Sequence, residues 1–145
     1  MFSKINSLAF CTILWLLIVV IAITTRGLLP VDETRYLSVA WEMWISNNFL
    51  VPQLNGAHYS HKPPLLFWLI NLGWGLFGVN EWWPRLIAPI FGLASVLLTH
   101  KLAKLLWPGN EELNSLAPVI LMGCLFWTLF CTLTMFDLIL AFFVL

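Results

Sequence analysis

Carboxylates and cations crowd into two short stretches of this sequence. "VDETRY" (31–36) carries Asp32, Glu33 and Arg35, and "HYSHKPP" (58–64) carries His58, His61 and Lys62. A further carboxylate, Asp137 in "MFD", is isolated: no other ionisable side chain lies between Glu112 and Leu145. An aspartate can take the proton of an attacking hydroxyl, and arginine and lysine can hold a phosphate and the charge that develops on it. Ionisable groups beside hydrocarbon are costly and point to a site. Cations at headgroup level, next to an apolar groove, are what a phosphate-bearing lipid would require.

The setting is hydrocarbon. Of 145 residues, 61% are hydrophobic and only 10% charged, far from the roughly 25% of soluble domains. The composition is that of an integral membrane protein. Seven basic residues balance seven acidic ones, which leaves no basic face for nucleic acid and no acidic tail for a cationic partner. Cys11, Cys124 and Cys131 fall in apolar runs with no disulfide or thiolate-metal spacing and read as buried spectators.

Apolar segments define the elements that must position the charges. Leu8 to Thr25 exceeds the hydrophobic region of a signal peptide and is followed by no small-x-small cleavage site, so it reads as a retained span. Pro84 to Trp107 and Leu116 to Leu133 are the second and third spans, and 138–145 begins a fourth apolar run. That run stops after eight residues, which suggests a fragment or truncated product.

Between the first two spans lies a loop over about 26–83. Tyr36, Val39, Ala40, Met43 and Trp44 recur at helical spacing from Asp32 onward, predicting an amphipathic interfacial helix with Asp32 as N-cap and Glu33 in its first turn. Asn55-Gly56 marks a tight turn. Pro63 and Pro64 then open a short apolar helix, Leu65 to Phe77, closed by Gly78 and too short to span. Asn110 is an N-cap ahead of Glu111 and Glu112.

With that short helix treated as interfacial, Asp32 and Asp137 emerge on the same face. Lys4, Lys101 and Lys104 then lie on the cytoplasmic side, but Arg26, Arg35, Lys62 and Arg85 lie outside, against the usual bias unless they hold an anion. Ordinary roles also exist. Asp32 can simply cap, Arg35 can pair with Asp32 or Glu33, Lys62 can snorkel, and Asp137 can mark a turn. Glu81 and Arg85 have the spacing of an i,i+4 pair, and the tryptophans suit an interfacial belt.

"VDETRY", then "HYSHKPPLLFWL", "FGVNEWWPRL" and "TLTMFDLIL", in this order, resemble the N-terminal part of the polyprenyl-phosphate-dependent GT-C glycosyltransferases. The likeness is closest to the 4-amino-4-deoxy-L-arabinose lipid A transferases and their relatives among the protein mannosyltransferases. The resemblance implies an all-α, polytopic membrane fold, with this chain forming the N-terminal part of its transmembrane domain. It implies sugar transfer from a polyprenyl-phosphate donor to a lipid, glycan or protein acceptor outside the cytoplasm, in a bacterial inner membrane. Asp32 and Asp137 match the family's two functional aspartates; Arg35 and Lys62 match its phosphate-gripping cations, and Tyr36 and Tyr59 join them as expected substrate-binding residues. Where the arabinose transferases carry a metal-binding glutamate before the lysine, this chain has His61, an imidazole that can itself ligate a divalent metal or marks a branch without one. A non-catalytic membrane subunit or remnant that only packs or binds lipid is the competing reading.

Overall fold

The computed structural model describes residues 7–145. α1 (Ser7–Thr25) and α4 (Trp82–Leu106) are long and apolar enough to cross a membrane. At 1.5 Å per residue, the 19 residues of α1 and 25 of α4 cover most or all of a roughly 30 Å hydrocarbon core.

The loop between them folds as the periodicity predicts. α2 (Asp32–Ser46) buries Tyr36, Val39, Ala40 and Met43 along one stripe, and α3 (Leu65–Phe77) answers with Leu66, Phe67, Ile70 and Trp74. A small antiparallel hairpin, β1 (Gln53–Leu54) and β2 (Ala57–His58), turns at Asn55-Gly56, both at positive φ. The Glu42 carboxylate fastens this turn to α2 by accepting the backbone N–H groups of Asn55 and Gly56. Tyr59 continues the ladder, donating its N–H to the Pro52 carbonyl at 2.9 Å. Gly78, at φ 76°, ends α3.

α4 packs along α1 and α3 and, after a turn, against α5 (Glu111–Gly123). Asn110 caps α5 as expected, accepting the Leu113 N–H at 3.1 Å. The segment expected as one helix over 116–133 differs: the backbone is extended at Cys124, and the chain continues as the short α6 (Leu125–Phe130) and then a turn. α7 (Asp137–Val144) follows and packs on α4. Of the three cysteines, Cys11 and Cys131 are buried but Cys124 is exposed, because it stands at this break where no helix covers it.

Prolines inside helices leave carbonyls to satisfy. Pro118 has no N–H to offer the Asn114 carbonyl one turn before it. His100 of α4 supplies the missing donor, its Nδ1 lying 2.8 Å from that carbonyl. The bond fixes the Nδ1–H tautomer and fastens α5 to α4.

Candidate active site

The junction between α1 and α2 is built around Glu33, whose side chain is fully buried. One oxygen accepts from Arg26 and from the Leu29 N–H, each at 2.7 Å. The other accepts the backbone N–H of Thr134 at 2.6 Å. Arg26 in turn donates to the Thr132 carbonyl at 2.5 Å. Burial opposes ionisation of Glu33, but the hydrogen bonds from Arg26, Leu29 and Thr134 and the Arg26 charge outweigh it, so its pKa lies below the ordinary carboxylate value. The turn between α6 and α7 is thereby pinned to the start of α2, which puts Asp32 and Asp137 at the same end of the molecule. Neither Glu33 nor Arg26 stood out as more than loop charges in the sequence, because the Thr132 and Thr134 backbone groups they also hold lie more than a hundred residues away.

Arg85, expected to pair with Glu81, does not. It is 8% exposed and donates to the carbonyls of Ala22, Ile23 and Arg26 at 3.1 Å or less. These carbonyls stand at the C-terminal end of α1, where backbone acceptors run short of helical donors, so both terminal nitrogens of a buried guanidinium are bonded to the end of that helix. Two of the four cations expected outside the membrane, Arg26 and Arg85, are therefore committed to the protein's own groups. Arg35 and Lys62 remain.

Asp32 is not the N-cap. Val31 holds that position at φ 78°, ψ −61°, and no side chain caps the helix. These angles are those of the rare classic γ-turn, a strained conformation for a β-branched residue. Asp32 is thus the first helical residue, and its carboxylate meets Arg35 one turn on at 2.6 Å, with both side chains partly open to solvent.

An aromatic wall stands beside this pair. The Tyr36 and Phe136 rings meet edge-on at 5.0 Å, and Phe67 backs both, 6.3 Å from Tyr36 and 5.5 Å from Phe136. Arg35 lies over the Tyr36 ring at 5.5 Å, and Lys62 Nζ lies over the Phe136 ring at 5.7 Å. The two cations are therefore carried on adjoining rings of one wall. Tyr59 packs on Phe67 at 6.1 Å. Burial pushes the Tyr59 hydroxyl's pKa up, helped by Tyr36 and Asp32 and opposed by Arg35 and Lys62, so all four groups act on it. The hairpin delivers Tyr59, and Pro63-Pro64 stiffen the chain beside Lys62.

The structure thus gathers Asp32, Arg35, Tyr36, Tyr59 and Lys62 into one cluster, with Asp137 entering beside it. Asp137 is exposed at the start of α7, directly after Phe136 of the wall. Tyr36 and Tyr59 are buried, so they shape the wall more than they face solvent. His61 is exposed, its ring edge against Tyr59 at 5.4 Å. Among the described residues no three His, Cys, Asp or Glu side chains converge, so His61 stands without a metal-ligand set.

Comparison with known proteins places this geometry. Residues 61–145 match the dolichyl-phosphate-mannose-protein mannosyltransferase family. The undecaprenyl phosphate-alpha-4-amino-4-deoxy-L-arabinose arabinosyl transferase of Pseudomonas savastanoi pv. phaseolicola is 36% identical over 77% of this chain and 21% of its own length. A second such transferase, from Pseudomonas fluorescens, is 34% identical over 68% of the chain and 17% of its own length. The crystal structure of ArnT from Cupriavidus metallidurans bound to undecaprenyl phosphate superposes with a TM-score of 0.80 at 25% identity, over 94% of this chain and 25% of that one. Its apo form gives 0.74. The chain spans about a fifth of the length of these curated relatives.

Proposed function

As a member of the dolichyl-phosphate-mannose-protein mannosyltransferase family, with the GT-C fold, this chain, we propose, contributes the donor-phosphate side of a membrane glycosyltransferase site. The enzyme moves a sugar from a polyprenyl-phosphate donor to an acceptor, with a lipid A-like lipid, a glycan or a protein as acceptor classes. The site faces the periplasm from a bacterial inner membrane. The observation that carries the reading is the pair of cations on the Tyr36–Phe136 wall beside Asp32.

In this reading Arg35 and Lys62 hold the donor phosphate, and the wall and the neighbouring apolar helices receive the polyprenyl tail. Arg35 gives the half-exposed Asp32 only one N–H bond, whereas a phosphate can take two parallel N–H bonds from it and be held by Lys62 as well. Donor binding therefore draws Arg35 away from Asp32 and leaves the carboxylate free to act. The acceptor hydroxyl oxygen attacks the anomeric carbon, its proton passes to Asp32, and the bond from that carbon to the phosphate oxygen breaks. The electron pair stays on the lipid phosphate, where both cations stabilise it. Direct displacement inverts the anomeric centre. An acceptor that is already an ionised phosphate needs no base, and Asp32 then balances charge. Asp137 orients the acceptor or supports Asp32. His61 would be one ligand of a divalent metal, the other ligands lying outside the described residues, and the metal would add its charge opposite the leaving phosphate.

The test is transfer from an undecaprenyl-phosphate sugar in membranes carrying the protein together with any sequence its gene encodes beyond Leu145. Asp32→Asn is expected to lower turnover by about a hundredfold or more while donor binding persists. Full activity in that variant would remove Asp32 as the base.

A further inference from the structure

Because Arg85 turns to the carbonyls of α1, Glu81 is left without the cation its spacing promised. Among the described residues no Lys, Arg or His pairs with it. Glu81 borders an open groove of about 410 Å³ between α2 and the α3–α4 loop. Trp41 and Trp74 form its walls, with ring centres 6.2 Å apart and planes at 78°. Trp74 is fixed, donating its Nε1–H to the Asn80 carbonyl at 2.8 Å. The Asn80 side chain is spent on the Gly78 carbonyl and the Trp83 N–H. Glu81 is thus the one ionisable side chain lining the groove, and it is exposed.

A carboxylate that lines the same groove as the exposed Trp41 ring selects for positive charge: the carboxylate attracts it directly, and a Trp ring is among the best side-chain partners for an ammonium ion. Neither Arg35 nor Lys62 lines this groove, so it is separate from the phosphate-holding wall. Its rim is apolar and open. Val79 lines the groove, and next to it Leu76, Phe77 and Trp82 are each more than 40% exposed, with the Phe77 and Trp82 rings tilted at 50° and 5.4 Å apart. Such a rim suits a hydrocarbon tail, and α2, with its charged and apolar faces, is of the kind that lies at a membrane surface.

We infer that this groove binds a membrane lipid with a primary ammonium headgroup, the ammonium lying against Glu81 and the exposed Trp41 ring and the tail lying over Val79 and Phe77. The inference goes beyond the glycosyl-transfer reading and does not depend on it.

Phosphatidylethanolamine and its N-acetyl derivative, whose amide carries no ammonium charge and leaves the headgroup with only the phosphate's negative charge, are the probes. The protein is placed in phosphatidylglycerol nanodiscs doped equally with the two, and the lipids it retains on release are counted by native mass spectrometry. Phosphatidylethanolamine is expected to be retained about fivefold over the acetylated lipid. In Glu81→Gln the ratio falls to near one, and in Trp41→Ala it falls toward one, with circular dichroism unchanged in both. Equal retention by the unmodified protein, or an undiminished preference in Glu81→Gln, overturns the inference.

Discussion

The buried carboxylate of Glu33 accepts the backbone N–H of Thr134 at 2.6 Å, across 101 residues of sequence. With Arg26, which reaches both Glu33 and the Thr132 carbonyl, it joins the ends of three helices in one polar knot. Removing one partner of a buried ion pair strands the other charge, at a cost of about 3–5 kcal/mol. Glu33→Gln is therefore expected to lower the thermal midpoint in detergent markedly, followed by near-ultraviolet circular dichroism.

The same carboxylate makes stability pH-dependent. Its pKa is lower in the folded protein than in the unfolded chain, where it is about 4.5. The unfolded state thus binds the proton more tightly as the solution acidifies. The contribution of Glu33 is complete above the unfolded value and is lost as pH falls through the folded one. The midpoint difference between the native protein and Glu33→Gln should be largest near neutral pH and shrink below about pH 4. A gap of constant size across that range would contradict the bonding described.

Arg35 and Lys62 are expected to act on the same phosphate. Either one changed to Ala should weaken undecaprenyl phosphate binding by about tenfold or more. Arg35→Lys should recover little of the loss, since an ammonium cannot make the paired, planar contact of a guanidinium. Calorimetric titration of the protein in nanodiscs reads both effects. Unaltered affinity in both Ala variants would detach these cations from the donor.

Gly73 faces Trp83 with no room to spare. A Cβ there would stand 1.8 Å from Trp83 Nε1, inside the indole that donates to the Leu69 carbonyl at 2.9 Å. Gly73→Ala must expel Trp83 from α3 and is expected to destabilise by about 1–3 kcal/mol or more. A blue-shifted tryptophan emission unchanged by the substitution, with an unchanged midpoint, would argue against this packing.

His100→Ala removes the side-chain donor on the Asn114 carbonyl, which Pro118 leaves without its i+4 helical partner. An orphaned buried carbonyl costs about 1–3 kcal/mol. His100→Asn, which restores a donor on a shorter side chain, should recover part of the loss in the same melting experiment.

Local chemistry was readable in the residues themselves. The stripe Tyr36, Val39, Ala40 and Met43 announced α2, Asn55-Gly56 its hairpin, Pro63-Pro64 and Gly78 the bounds of α3, and Asn110 the start of α5. Each depends on neighbours within a few positions, where propensity and periodicity act. The resemblance to the family rests on the same short motifs and their order.

Only the tertiary structure decided where the charges went. Glu33 and Arg85 read as a first-turn acid and half of an i,i+4 pair, yet both serve partners 59 to 101 residues away: Thr134 for one, the end of α1 for the other. A buried charge needs several hydrogen-bond partners at once, and backbone groups at the end of α1 and before α7 supply them where one neighbouring side chain would not. That commitment is what leaves Asp32 and Arg35 paired at the surface, Lys62 on its aromatic ring, and Glu81 unpaired beside two tryptophans. The residue types were present in the sequence, but their division into structural and available charges required the folded chain.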